Sequence, residues 1–279
     1  MTFEFTIVDG LEARILALVQ NVEIRHYPLS FPGVDLNPAR LAHTARVAEQ
    51  QLATRRLSVR GRINTHVCAA FDLFKQHRVA VGIAGKYGED GFASLGLTDG
   101  SQALIVRQDS GDQRTHFTLL PDEEWVHRLS HELPAALPGA GPPATVEHAS
   151  APQQSAYAAR RAERARHDDD ETSAFDNLPV QTMVRPPDNP FHGPVRSEHD
   201  RFRDLQQLPR TGVGHFRVVA NSATRPKRDA DMLCWFDSDQ GRYLTSIHHH
   251  DDGRVTTCCR PGGDRELRES ITRAVRQVY

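Results

Sequence analysis

Cysteine is nearly absent from this chain of 279 residues: Cys68, Cys234, Cys258 and Cys259 are all there are, and two of them are adjacent. Four such positions make no disulfide framework, and reduced, buried or half-buried thiols are the expectation. Neighbours such as Cys258 and Cys259 point to opposite faces of a strand and join only through a strained ring. Long apolar runs are missing too. Nothing approaches the roughly 18 apolar residues of a spanning helix. The opening MTFEFTIVDG has neither a basic region nor a cleavage site, so a cytosolic protein without a secretory signal is expected. Charge is nearly balanced, with a formal net charge of −2, which offers no field to draw in nucleic acid or an anionic membrane. Apolar residues reach 38%, below the globular norm, so part of the length lies outside any core.

Signature motifs of catalysis are also missing. The chain has no Gly-x-Ser-x-Gly elbow and no His-Glu-x-x-His. Gly82-Ile83-Ala84-Gly85-Lys86-Tyr87-Gly88 looks like a phosphate loop only superficially, because it lacks the GxxxxGK[ST] order and leads into no helix. A non-enzymatic protein without cofactors is therefore the expectation, with one alternative worth weighing. His248-His249-His250 is followed by Asp251-Asp252-Gly253. On a strand His248 and His250 share a face, and two histidines two apart can chelate. A zinc site needs a third or fourth ligand, which only Asp251 or Asp252 curling back would supply. A metal-dependent protein centred on His248–His250 is thus the runner-up, and a polar hairpin tip turning at Asp252-Gly253 is the preferred reading.

The elements that are present repeat one plan. Thr2–Val8 alternates as a strand, and Asp9 with Glu12 three residues on starts a helix with Leu11, Ile15, Leu18 and Val19 on its apolar face. Asn37-Pro38 starts a second helix with Leu41, Ala45, Ala48 and Leu52 inward, and a third over 64–76 buries Val67, Phe71 and Phe74. Strands follow at about 78–84, 91–98, 101–108 and 114–120, and then a helix opened by Pro121 with Trp125, Leu129 and Leu133 inward. Near 200–208 a short helix leads to strands at about 213–221, 231–237, 242–249 and 254–260. A last helix after Pro261 carries Leu267, Ile271, Val275 and Val278 on one face. The expected organisation is one domain with related halves, 1–147 and 200–279, around a connection of 148–199. Ten of the 17 prolines fall between Pro134 and Pro194. The arginines of 160–166 lack interleaved aromatics and are followed by Asp168-Asp169-Asp170-Glu171, so a nucleic-acid patch there is disfavoured, and a frayed, solvated helix within a Pro- and charge-rich linker, partly helical or disordered, is expected.

Two regions carry a resemblance to a known family. One runs from Leu119-Leu120-Pro121-Asp122-Glu123-Glu124-Trp125 through Glu132-Leu133-Pro134 to Pro138-Gly139-Ala140-Gly141-Pro142. The other is Trp235-Phe236-Asp237-Ser238 with Gly241-Arg242-Tyr243-Leu244, ahead of the last hairpin and the Pro-started helix. In this order of strands, prolines and helices the chain resembles the EspG family, the ESX (type VII) secretion-associated chaperones of actinobacteria. The resemblance implies an α+β fold, a central, mostly antiparallel sheet built by two related halves and flanked by helical bundles. It also implies a cytosolic chaperone that binds the PPE member of PE–PPE substrate pairs and keeps the pair soluble for export. By the same resemblance, substrate is gripped by a hairpin loop of the first half and by surface from the C-terminal half. The fitting loop here is Gly85–Gly91, with Lys86, Tyr87, Glu89 and Asp90 as candidate contacts and Tyr87 as an aromatic anchor at a solvated tip. The corresponding loop of the second half is Ser222–Asp231, with Arg225, Lys227 and Arg228.

Overall fold

The computed structural model describes residues 2–33, 37–148, 197–220, 228–250 and 252–279. Arginines 160–166, the acids 168–171 and most of the 148–199 connection lie outside the described residues. The strands are β1 (Phe3–Ile7), β2 (Ser58–Val59), β3 (Arg62–Ile63), β4 (Val79–Tyr87), β5 (Asp90–Thr98), β6 (Gln102–Asp109) and β7 (Thr115–Pro121). They continue with β8 (Ala144–His148), β9 (Gly212–Ala220), β10 (Arg228–Asp229), β11 (Leu233–Ser238), β12 (Gly241–His249) and β13 (Val255–Pro261). The helices are α1 (Gly10–Val19), α2 (Pro38–Thr54), α3 (Thr65–Gln76), α4 (Asp122–Ser130), α5 (Glu198–Gln206) and α6 (Asp264–Val278).

Eleven strands form one sheet in the order β1-β7-β6-β5-β4-β9-β11-β12-β13-β8, with β10 beside β9, while β2 and β3 pair separately. Its ladders are antiparallel throughout, both where hairpins connect neighbours and where distant strands meet. The seam between β4 and β9 runs from Val79↔Ala220 to Tyr87↔Gly212. On one side of it four consecutive strands lead to β1 at the edge, and on the other β9, β11, β12 and β13 lead to β8.

Alternation along the strands sends two sets of side chains to two faces. On one face α1 and α3 cover Phe5, Ile7, Leu95, Leu97, Leu104, Val106 and Phe117, with Phe71 stacked on Phe117 at 5.8 Å. On the other, α4 and α6 cover Val79, Val81, Ile83, Ile105, Phe216 and Trp235. The predicted stripe of α6 is buried at Leu267, Ile271, Val275 and Val278, and α3 buries Val67, Phe71 and Phe74 as expected. A thinner cover lies over Phe236, Tyr243 and Cys259, where Phe202, Leu205 and Leu208 of the α5 region pack.

The start of the chain departs from the capping box expected there. The Asp9 carboxylate accepts the Glu12 backbone N–H at 2.7 Å, but Glu12 accepts from Val8 rather than from its cap residue and pairs with Arg55. Of the expected stripe Ile15 is buried, but Glu12, Ala13, Leu16 and Ala17 are buried beside it, while Leu18 and Val19 face outward. Asn37 caps α2 through Ala39 N–H, as its sequence predicts. Pro121 ends β7 and stands just before α4, one step earlier than the first helical position expected for it. The edge strand β8 and the β2–β3 hairpin have no counterpart among the elements expected from the sequence.

Candidate partner-binding surface

The β4–β5 hairpin is tighter than a Gly85–Gly91 loop. Tyr87 pairs directly with Asp90, so Gly88 and Glu89 alone form the turn. Gly88 has φ +57°, the left-handed conformation that glycine adopts without cost. Lys86, Glu89 and Asp90 are exposed there, and Lys86 points to the face opposite Tyr87.

Tyr87 itself corrects the expectation of a solvated anchor. It is half-buried on the face of α4 and α6, stacked on Trp235 at 5.2 Å and on Phe92 at 6.2 Å. Its cross-strand neighbour is Gly212, then Asp237, then Arg242, four positions in one row over four strands. A side chain at Gly212 would place its Cβ 2.3 Å from the Tyr87 ring, so glycine there lets the ring lie across the strand. The Tyr87 hydroxyl thereby reaches Asp237, donating to Oδ2 at 3.2 Å, and accepts from Arg242 Nη2 at 3.2 Å. Arg242 holds Asp237 with two bonds, Nε to Oδ1 at 2.7 Å and Nη2 to Oδ2 at 2.8 Å.

Arg242 is fully buried; its Nε and Nη2 are hydrogen-bonded, while Nη1 makes no hydrogen bond among the described residues. It donates to the Pro134 carbonyl at 2.7 Å, approaches Asp264 at 3.5 Å and lies over the Trp235 ring at 5.6 Å. Burial works against its charge, but the hydrogen bond and charge of Asp237 prevail and hold its pKa above the ordinary arginine value. Burial, reinforced by the Asp237 carboxylate, pushes the Tyr87 phenol well above its usual range, so it remains a donor. The backbone of Arg242 also binds the loop after α4, accepting from Gly139 N–H and donating to the Leu137 carbonyl, each at 2.8 Å. Leu137 stands 81% exposed on that loop, an apolar protrusion outside the contacts expected from the sequence. A signal was present: no charged residue occurs between Glu132 and Glu147.

Of the residues expected to carry contacts, Tyr87 and Arg228 lie at opposite ends of the central strands. Arg228 is exposed and pairs with Ala220, whereas Tyr87 pairs with Gly212. Eight residues of strand separate those positions, roughly 26 Å at the usual rise. Because β4 and β9 pair antiparallel, β4 ends at the Tyr87 level of the seam and β9 ends at the Ala220 level. Arg225 and Lys227 lie outside the described residues.

At the histidine hairpin β12 and β13 stay paired as far as His249↔Val255, and Gly253 has φ +80°. His248 meets Asp231 at 2.7 Å and His250 meets Thr256 at 2.8 Å, so the paired histidines of the alternative reading take separate partners. Among the described residues no three His, Cys, Asp or Glu side chains gather as a metal site, and Asp251 lies outside them. The double variant His248→Ala/His250→Ala is expected to keep its stability within about 0.5 kcal/mol, as exposed positions do. Denaturant melts test this, and stoichiometric zinc in the unmutated protein, lost in the variant, would restore the metal reading.

Among the described residues no helix is long and apolar enough to cross a membrane. No curated protein matches the chain. The chain is similar to a solved structure of the Mycobacterium tuberculosis type VII secretion system chaperone EspG5 in complex with a PE25–PPE41 dimer. The match covers 99% of this chain and 96% of that one, at a TM-score of 0.61 and 12% identity, which establishes a shared fold. The EspG family model matches residues 10–273, nearly the whole sequence, and the chain belongs to the EspG family.

Proposed function

We propose that this protein is a cytoplasmic, type VII secretion-associated chaperone that binds the PPE member of a PE–PPE pair and keeps the pair soluble before export. It acts by binding, not by catalysis, and needs no cofactor. The observation that carries this reading is the family match over residues 10–273; the solved relative with the same fold is itself held in a complex with a PE–PPE dimer. The proposed contact side chains at the first hairpin are Lys86, Glu89 and Asp90, with Tyr87 behind them. A partner that also uses Arg225, Lys227 and Arg228 spans the length of the central strands, because Arg228 stands at the far end. The proposed organisation is one domain of two related halves, 1–147 and 200–279, sharing the sheet across the β4–β9 seam and connected by 148–199.

Co-expression of the full chain with each PE–PPE pair encoded in the same genome, followed by affinity capture on a tag carried by the PPE protein, tests the proposal. Recovery of a stable ternary complex of one copy each is the expected result. Failure to recover the chain with any pair, while the pairs themselves remain soluble without it, would overturn it.

A further inference from the structure

We infer that Tyr87, Asp237 and Arg242 are positioning residues, which lock the β4–β5 hairpin of the first half onto the second half and so fix the angle at which Lys86, Glu89 and Asp90 are presented. This deepens the chaperone reading and rests on it.

The geometry supports positioning over direct contact in three ways. Tyr87 is the last residue of β4, immediately before the two-residue turn, so whatever holds its ring orients the tip. Its hydroxyl is engaged by Asp237 and Arg242 of the second half, 150 and 155 residues away in sequence, in a part-buried position. The row is also continued through backbone: Gly88 N–H donates to Thr211 O at 3.2 Å, and Thr211 N–H donates to Asp237 O at 2.9 Å. The turn, the start of β9 and the end of β11 are thus tied at one level of the sheet. A two-residue hairpin held this way presents its polar side chains with little conformational freedom to lose on binding, which favours affinity through preorganisation.

Asp237 and Arg242 fall in the two short segments, Trp235–Ser238 and Gly241–Leu244, that mark the second half in the sequence. The Asp239–Gln240 turn between them sets the register that places this acid opposite this base. Their pairing does two things at once: it neutralises a buried arginine, and it builds the acceptor that the first-half tyrosine seeks.

The test uses the full chain and titrates it with the PE–PPE heterodimer captured in the co-expression above. Tyr87→Phe keeps the stacked ring and deletes only the hydroxyl; the Kd is expected to rise about three- to tenfold, the usual worth of one hydrogen bond. A structural role alone would also weaken binding somewhat, so the deciding measurement is a double-mutant cycle. A tip variant carrying Lys86→Ala, Glu89→Ala and Asp90→Ala is expected to lose binding in the unmutated background and to lose at least about threefold less when Tyr87→Phe is already present. Arg228→Ala, at the far end of β9, is expected to combine with Tyr87→Phe multiplicatively. A multiplicative cycle at the tip, or a tip variant with unchanged Kd, would overturn the inference while leaving the chaperone reading standing. Absence of any captured heterodimer with the unmutated chain would bring down both.

Discussion

Arg242→Ala is expected to lower the free energy of unfolding by about 3–5 kcal/mol, the range for breaking a buried ion pair on one side only. The size follows from what is left behind. Asp237 is 8% exposed, and without Arg242 it keeps the Tyr87 hydroxyl as its one remaining side-chain partner in this cluster. The Pro134 carbonyl loses its donor as well, and the loop carrying Leu137 loses the side-chain anchor that supplements its two backbone bonds. Urea titration followed by circular dichroism measures the change, and a loss under about 1 kcal/mol would show that water or a neighbour replaces the guanidinium. Replacing both partners gives a different expectation. Asp237→Leu with Arg242→Met removes the need to bury charge and is expected to recover much of the lost stability, since apolar pairs of similar volume often substitute for buried ion pairs. The Tyr87 hydroxyl would then have no partner in the row. A double variant that is stable yet binds a PE–PPE pair more weakly than the unmutated chain is therefore the expected pattern, separating the structural worth of the pair from its positioning role.

Much of this architecture is legible in the sequence because it rests on local rules. The apolar stripe of α6 and the cap at Asn37-Pro38 are written within a few residues, and the strands of both halves fall within a few positions of their predicted bounds. β8 escapes sequence reading because only Ala144 and Val146 point inward, too few for a visible alternation, and its partner β13 lies more than a hundred residues on. Tyr87 is more instructive. Val79, Val81, Ile83 and Tyr87 share one parity, and that parity already assigns Tyr87 to the buried face. The glycines around it suggest loop flexibility in the sequence, but Gly85 and Gly212 serve packing instead. A Cβ at Gly85 would sit 2.8 Å from Trp235, and one at Gly212 would sit 2.3 Å from Tyr87. They are a floor for two aromatic rings that lie flat on the sheet. Nothing local to residues 82–91 announces the partners of Tyr87, because Trp235 and Asp237 come from the other half. Arg242 and Asp237 are visible as residues, but only the hairpin register turns them into a pair.

Trp235→Ala is expected to destabilise the protein by about 3–5 kcal/mol, and the way the remaining structure melts tests whether the two halves form one unit. Trp235 is 1% exposed and is packed over the sheet between Tyr87 and Arg242. Its indole Nε1 is buried without a hydrogen-bond partner, so the loss is one of packing and the cavity that follows. That cavity cannot close easily, because the strand floor beneath it is held by ladder hydrogen bonds on both sides of β9. The substitution also simplifies the spectroscopy. The chain contains two tryptophans, so in this variant all tryptophan emission comes from Trp125 on α4, in the first half. Trp125 belongs to the same apolar cluster as Phe216, Leu267 and Ile271 of the second half. If the shared sheet makes the halves a single cooperative unit, damage at Trp235 is felt at Trp125. Its emission should then change at the same, lowered denaturant midpoint as the far-UV circular dichroism. A Trp125 transition that stays at the midpoint of the unmutated protein while circular dichroism shows two steps would mean that the halves unfold separately, and the single-domain organisation proposed for 1–147 and 200–279 would fall.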